Sequence, residues 1–295
     1  IRPKVVHIHD PELIPLAILM SVFGVKIIYD VHEDVSLDIL DKYWLPSYIR
    51  PFVSKVYGCF EKIAGLFFWR IIVATPSIAK KFKPSKTVLV ENYPLLSEFE
   101  FYNAISNKSD QSRANKFVYL GAITEVRGII PLVRSLAISA ESIDISLSLA
   151  GQFTPAQLKT EVEQLEGWKH VVYEGVVSRS DLGHLFSNCI AGLVTLLPAN
   201  NHLASQPNKF YEYMAAGVPI IASDFPLWRE LIDSIQCGVL VDPNCPDSIS
   251  SAMVYLSNNP DKAILMGQRG RNAVLSHYNW GTQSTKLTAI YTELL

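Results

Sequence analysis

Apolar residues along this chain come in short blocks that alternate with longer stretches of helical spacing. Blocks at 5–8, 26–30, 71–74 and 87–90 are four or five residues long and are bounded by Gly, Pro or polar residues. That is the pattern of strands buried on both faces. Between the first two lies an apolar helix over about 11–23, and Gly24 stands where it should stop. The spacing predicts a further helix over about 46–68 and a short one near 77–82. A run at 101–115 dominated by Asn, Ser, Asp and Gln reads as a linker, after which the alternation restarts. Strands are expected at 117–120, 146–150, 171–173, 191–195, 219–223 and 238–241. Helices fit near 129–139, 155–165, 179–187, 207–216, 226–233 and 248–257. In the first of these Ile129, Leu132, Val133 and Leu136 form the stripe to be buried. Strand–helix–strand order predicts parallel sheets with right-handed crossovers. The expected class is therefore α/β, with two Rossmann-like doubly wound domains at 1–105 and 106–278 and a terminal helix in 279–295.

Composition narrows the function classes. Hydrophobic residues at 49% with 18% charged describe a packed core rather than disorder. A net charge of −2 gives no footprint for nucleic acid. Cys59, Cys189, Cys237 and Cys245 form no Cys-x-x-Cys pair and no zinc spacing with His, which points to reduced thiols in a cytoplasmic setting. Nothing reads as a signal peptide. The charge is nevertheless uneven. Between 42 and 83 eight basic side chains stand against the single Glu61, interleaved with Trp44, Tyr48, Phe52, Phe60, Phe67 and Trp69. Such a mixture suits peripheral contact with an anionic membrane, on the inner face of the cell membrane, while some of these aromatics are expected simply to be core. The apolar run at 63–74 is interrupted by Arg70 and is too short to span a bilayer.

Candidate chemistry sits at strand ends, where open parallel sheets collect their ligands. The turn Gly121-Ala122-Ile123-Thr124-Glu125-Val126-Arg127-Gly128 joins a strand to a helix. Its backbone N–H groups and Arg127 suit a phosphate, although an Arg at a helix start is often merely solvated. Gly151 follows another strand, as a plain turn or a ligand contact. In the helix at 207–216, Asn208, Lys209, Glu212 and Ala216 share one side, while Phe210, Tyr211 and Met214 share the other. Lys209 and Glu212 make either a surface ion pair or a cation and an acceptor for a ligand. His32 ends the 26–30 strand, as a structural group or as a donor to an oxygen that gains charge. Asp10 is expected to cap the helix that follows it. No Ser–His–Asp arrangement, His-rich metal cluster or Asp-x-Asp pattern is visible, so no metal is implied.

The segment 206–223 resembles the donor-binding motif of nucleotide-sugar-dependent glycosyltransferases of the GT-B fold, glycosyltransferase family 4 (group 1). The family pattern is Glu, seven residues, Glu, a small-residue helix end and Gly-x-Pro. Glu212 falls on the second Glu, Met214 through Ser223 match the remainder, and Ala204 stands where the first Glu should be. The resemblance implies transfer of a sugar, with retention, from a nucleotide diphosphate sugar to an acceptor hydroxyl. Cell-envelope polysaccharide or glycolipid synthesis is the implied setting, the acceptor being a glycan or lipid-linked. It implies that Glu212 holds the ribose, and that His32 is the catalytic group facing the donor. Gly121, Arg127, Lys209, Asn208 and Gly151 complete the donor-binding set. Arg127-Gly128 occupies the family's Lys-Gly position; Ala122 replaces its Arg, and Lys209 is placed to supply that missing charge. Neither cofactor nor metal is implied. Family members have further strand–helix units before the segment matching His7-Ile8-His9-Asp10, so the first domain is expected to be incomplete. Their terminal helix crosses back to that domain. Two rivals share the nucleotide site: a GT-B epimerase or hydrolase that needs no acceptor, and a non-catalytic nucleotide-sugar-binding subunit.

Overall fold

The computed structural model describes residues 3–42, 44–99, 115–203 and 205–294. The chain divides into two compact units, Ile1–Asn92 with Trp280–Leu295, and Tyr93–Asn279. The expected linker at 101–115 lies outside the described residues apart from Asn115, as does Ala204.

The first unit holds four parallel strands in the order β1 (Val5–Ile8), β2 (Lys26–Val31), β3 (Arg70–Val73) and β4 (Thr87–Leu89). Parallel neighbours need crossovers, supplied by α1 (Ile14–Val22), by α2 (Val35–Asp41) with α3 (Arg50–Ala64), and by α4 (Pro76–Ala79). One sheet face buries Ile8, Ile27, Tyr29, Ile71 and Val73 beneath Ile14, Ala17 and Phe68. The other buries Ile28, Ile72 and Val90 against Ile290 of the C-terminal helix, Trp280–Thr292. The single helix expected at 46–68 is in fact α3, with α2 before it. Short and acidic, α2 starts because Asp34 Oδ1 accepts from the Leu37 N–H at 3.1 Å. Lys81 binds the same Asp34 carboxylate. Asp10, by contrast, makes no capping bond: the first turn after β1 is a 3₁₀ turn, Pro11–Leu13, whose backbone N–H at Leu13 is met by the Asp10 carbonyl at 3.1 Å. On α3 the residues Phe52, Val56, Phe60 and Ile63, spaced along one face, are all exposed.

The second unit is a six-stranded parallel sheet of β5 (Lys116–Leu120), β6 (Ser146–Ala150), β7 (Val171–Gly175), β8 (Ala191–Val194), β9 (Ile220–Ser223) and β10 (Gly238–Val241). Its order across the sheet is β10-β9-β8-β5-β6-β7. The chain runs outward from β5 to β7, returns to lay β8 beside β5, then runs out the other way. The reversal between β5 and β8 opens a crevice at their carboxyl ends. The helices are α5 (Ile129–Ser139), α6 (Leu158–Glu163), α7 (Leu182–Ser187), α8 (Asn200–Leu203), α9 (Asn208–Ala215), α10 (Pro226–Ile235), α11 (Pro246–Asn258) and α12 (Pro260–Ser276). All four stripe residues of α5 are fully buried. The helix expected at 155–165 shortens to α6 and is followed by a 3₁₀ run, Glu166–His170.

Helix α9 buries Phe210, Tyr211 and Met214 as its periodicity requires, and Ala216, expected on the polar side, is buried as well. The cause is α12, a helix that periodicity did not reveal. Its buried face is Ala263, Gly267, Gly270, Arg271 and Val274. A Cβ at Gly267 would sit 2.0 Å from the Gly217 carbonyl, so only glycine permits this approach. Arg271 donates to the Ala215 carbonyl at the end of α9, satisfying a group the helix leaves free. Among the described residues no helix is long and apolar enough to cross a membrane.

Candidate functional site

The crevice of the second unit is built from three turns that are sewn together. Gly121 N–H donates to Ala150 O at 2.9 Å, Ile123 N–H to Gln152 O at 2.9 Å, and Leu197 N–H to Val126 O at 3.0 Å. The turns after β5, β6 and β8 therefore share one backbone network, which fixes the loop before any ligand arrives. Glycine is required at two points in it. Gly128 has φ +76°, and a Cβ there would lie 1.9 Å from the Thr195 carbonyl. Gly121 has φ +103°, and its Cβ would lie 2.8 Å from Lys209 Cε and 3.0 Å from Lys209 Nζ.

That second observation places Lys209. Its side chain leaves the exposed start of α9 and turns inward over the Tyr119 ring, with Nζ 4.5 Å from the ring centroid. Although the residue is only partly buried as a whole, Nζ itself is buried and has no hydrogen-bond partner. Burial, reinforced by the neighbouring Arg127 guanidinium and opposed by Glu212, pulls its pKa down to about 7. The same Gly121 position is 3.6 Å from Arg127 Nη1. Two cationic groups thus converge, neither bonded to a carboxylate among the described residues, and the adjoining turns carry the buried Thr124 and Thr195 hydroxyls, for which the described residues likewise supply no partner. Orphaned buried donors of this kind ask for an acceptor. An anion with several oxygens at the helix starts of α5 and α9 meets that need.

Glu212 lies one turn further along α9, largely buried, with Oε1 4.0 Å from Arg179 Nη2. Burial pushes its carboxyl up, while Arg179 and Lys209 hold it down in part. Arg179 in turn bonds Glu98. Gly151 packs on the Gly121 carbonyl, at the position where a Cβ would come within 1.9 Å of it. The structure therefore gathers Gly121, Gly151, Arg127 and Lys209, with Glu212 beside Lys209. Asn208 is exposed at the first residue of α9, at the edge of this group. Sequence reasoning passed over Tyr119 as the surface on which Lys209 lies and Arg179 as the partner of Glu212. The signal for Arg179 is its position in the loop after β7, next to the same crevice.

In the first unit the expected catalytic residue, His32, follows β2 and is exposed. It does not stand alone. Parallel register aligns the ends of β1 and β2, pairing His7 with Ile28 and Ile8 with Tyr29. Asp30 Oδ2 is consequently 3.5 Å from His7 Nε2, 3.5 Å from His9 Nδ1 and 3.4 Å from His32 Nε2. His9 Nδ1 and His32 Nε2 are 3.1 Å apart. The rings of His7, His9 and His32 stack in succession. No histidine cluster is visible in the sequence because its members come from two strands.

Comparison with known proteins gives these arrangements a context. Residues 102–273, more than half of the chain, match the family model described as "Glycosyl transferases group 1". A GDP-mannose-dependent alpha-(1-6)-phosphatidylinositol monomannoside mannosyltransferase of Mycobacterium tuberculosis is 29% identical over 120 residues, 40% of this chain and 31% of that protein. The match thus spans about a third of that relative's length. An MMP alpha-(1->4)-mannosyltransferase of Mycolicibacterium hassiacum is 20% identical over 96% of this chain and 69% of its own length. Among solved structures, sucrose-phosphate synthase from Thermosynechococcus elongatus superposes with a TM-score of 0.72 at 17% identity, over 99% of this chain and 73% of that one. Anabaena HepE in complex with UDP gives a TM-score of 0.75 at 12% identity, over 98% and 79%. These likenesses establish the GT-B type of fold.

Proposed function

The chain belongs to the group 1 glycosyl transferases, and from that premise we propose that it transfers a sugar from a nucleotide diphosphate sugar to an acceptor hydroxyl, with retention at the sugar carbon. The observation that carries this reading is the buried, unpartnered Lys209 ammonium beside Arg127. The diphosphate of the donor is the anion that completes it. Lys209 and Arg127 meet the charge that grows on the leaving diphosphate, the role a metal ion plays elsewhere, and stabilise it in a site already organised by the three joined turns. Gly121 and Gly151 let the phosphates approach the backbone, Asn208 borders them, and the Glu212 carboxylate accepts from the ribose hydroxyls. His32 is the proposed catalytic group of the first unit, donating to an oxygen of the departing phosphate. No cofactor enters this scheme.

GDP-mannose is the donor with most support, because relatives at 29% and 30% identity are named for it. A lipid-linked or glycan acceptor in cell-envelope synthesis belongs to the same proposal, supported by the phosphatidylinositol monomannoside in those names. The exposed stripe of Phe52, Val56, Phe60 and Ile63, flanked by Lys55 and Lys62, supports peripheral contact with an anionic membrane from the cytoplasmic side.

Thermal melting of the purified chain with GDP, UDP, ADP and their sugar conjugates tests the nucleotide site, since a ligand that binds the native state raises its stability. A shift with GDP and GDP-mannose but not with adenosine nucleotides is expected. Incubation with GDP-mannose, with and without a mannosyl-lipid acceptor, then separates the rivals: sugar released or epimerised without acceptor favours a hydrolase or epimerase. Binding without any turnover favours a non-catalytic subunit.

A further inference from the structure

The histidine cluster of the first unit has the makings of a cation site. One ring nitrogen each of His7 and His9 and an Asp30 carboxylate oxygen all lie within 4.8 Å of one another. Around a tetrahedral Zn²⁺ with bonds of about 2.0–2.1 Å, donor atoms stand roughly 3.3 Å apart. The two His–Asp separations of 3.5 Å are already close to that length. The inner ligand is held in the manner a metal requires. His7 Nδ1 lies 2.5 Å from the Tyr291 hydroxyl oxygen, and in the tautomer whose Nδ1–H donates to that oxygen, Nε2 presents its lone pair. That Nε2 is buried and makes no hydrogen bond. An imidazole whose second nitrogen is fixed by an outer partner, and whose first is orphaned beside a carboxylate, is the usual setting of a metal-binding histidine.

We propose that His7, His9 and Asp30 form a binding site for a single divalent transition-metal cation of the Zn²⁺ class, with an open fourth position on the side of His32. Two imidazoles and one carboxylate favour Zn²⁺ or Co²⁺ over Mg²⁺ and Ca²⁺, which demand oxygen ligands. Binding redirects the His9 Nδ1 lone pair to the cation and frees His32 Nε2 from its 3.1 Å contact with His9. The inference is independent of the transferase reading, because it concerns residues of the first unit and is read by metal binding rather than by turnover.

The test uses the whole purified chain after treatment with a chelator and dialysis. Isothermal titration with Zn²⁺ should give one saturable site, and Co²⁺ should produce the intense visible absorption of a low-coordinate, nitrogen-ligated ion. His9→Ala and Asp30→Asn should each abolish the Co²⁺ band and weaken Zn²⁺ binding at least tenfold. Tyr291→Phe, which removes only the outer partner of His7, should weaken binding by about 10–100-fold. Circular dichroism of each variant establishes folding; His9 is half-exposed and packs into no core, so His9→Ala keeps the test valid if Asp30→Asn does not fold. Absence of saturable binding overturns the proposal. So does binding of undiminished affinity in His9→Ala, since the site would then not include His9.

Discussion

Replacing Lys209 by Met separates a ligand-binding amine from a structural one by the sign of two measurements. Methionine keeps an unbranched stem of similar length over the Tyr119 ring and removes the ammonium. In the free protein that ammonium is buried without a partner, and such a group costs about 1–3 kcal/mol. The variant should therefore be more stable than the parent, by roughly 2–10 °C in melting temperature for a unit of this size. Binding should move the other way. A hydrogen bond from a charged donor contributes about 1.5–3 kcal/mol, so the dissociation constant of GDP should rise about 10- to 150-fold. The pH dependence adds a third readout. Burial and Arg127 place the Lys209 pKa at about 7 in the free protein, and a bound diphosphate raises it. Binding above that pH must then take up a proton, and affinity should fall about tenfold per pH unit, a slope that disappears in Lys209→Met. Calorimetric titration with GDP at pH 6.5, 7.5 and 8.5 measures both quantities. A variant that melts lower than the parent and binds GDP equally well would refute the reasoning, because it would make Lys209 a packing residue.

Gly121→Ala should abolish nucleotide binding while leaving the sheet folded, since a Cβ at φ +103° displaces Lys209 Cε from a 2.8 Å approach; melting and GDP titration check it. Asp34→Ala should destabilise the first unit by about 2 kcal/mol through loss of the α2 cap. Burial alone would raise the Asp34 carboxyl, but the bonds from Lys81, Ser36 and the Leu37 N–H outweigh it, and its pKa lies below the ordinary value. Its contribution is thus present above the ordinary carboxylate range and lost as pH falls through the lowered value, so the parent's acid unfolding should be steeper than that of the variant. Phe52→Ser with Phe60→Ser should reduce sedimentation with vesicles containing anionic lipid and leave GDP binding untouched; equal sedimentation would remove the membrane reading of α3.

The strands and α5 were legible because a buried strand or stripe leaves a dense apolar signature whatever surrounds it. Ile129, Leu132, Val133 and Leu136 are an instance. Helix α12 was illegible for the opposite reason. It packs through Gly267 and Gly270, and a contact made by missing side chains has no hydrophobic period to detect. The candidate donor group was partly legible: Gly121, Arg127, Lys209 and Glu212 were singled out by position, yet the inward turn of Lys209 over Tyr119 depends on β5 lying beside β8, which only topology supplies. The surroundings of His32 were hidden likewise. Parallel pairing of β1 with β2 brings Asp30 to His7 and His9, residues more than twenty positions away.

The first unit is assembled from two segments that lie far apart along the chain. Tyr291 reaches His7 across 284 positions, and Ile290 seals the face formed by Ile28, Ile72 and Val90. Until residues 280–294 have been made, β1 to β4 leave Ile28, Ile72 and Val90 without the cover that Ile290 provides. That cover is synthesised after the whole of the other unit, whose six strands and their helices are contiguous and can close on their own. The second unit should therefore consolidate before the first, whose strands wait on a helix made after it.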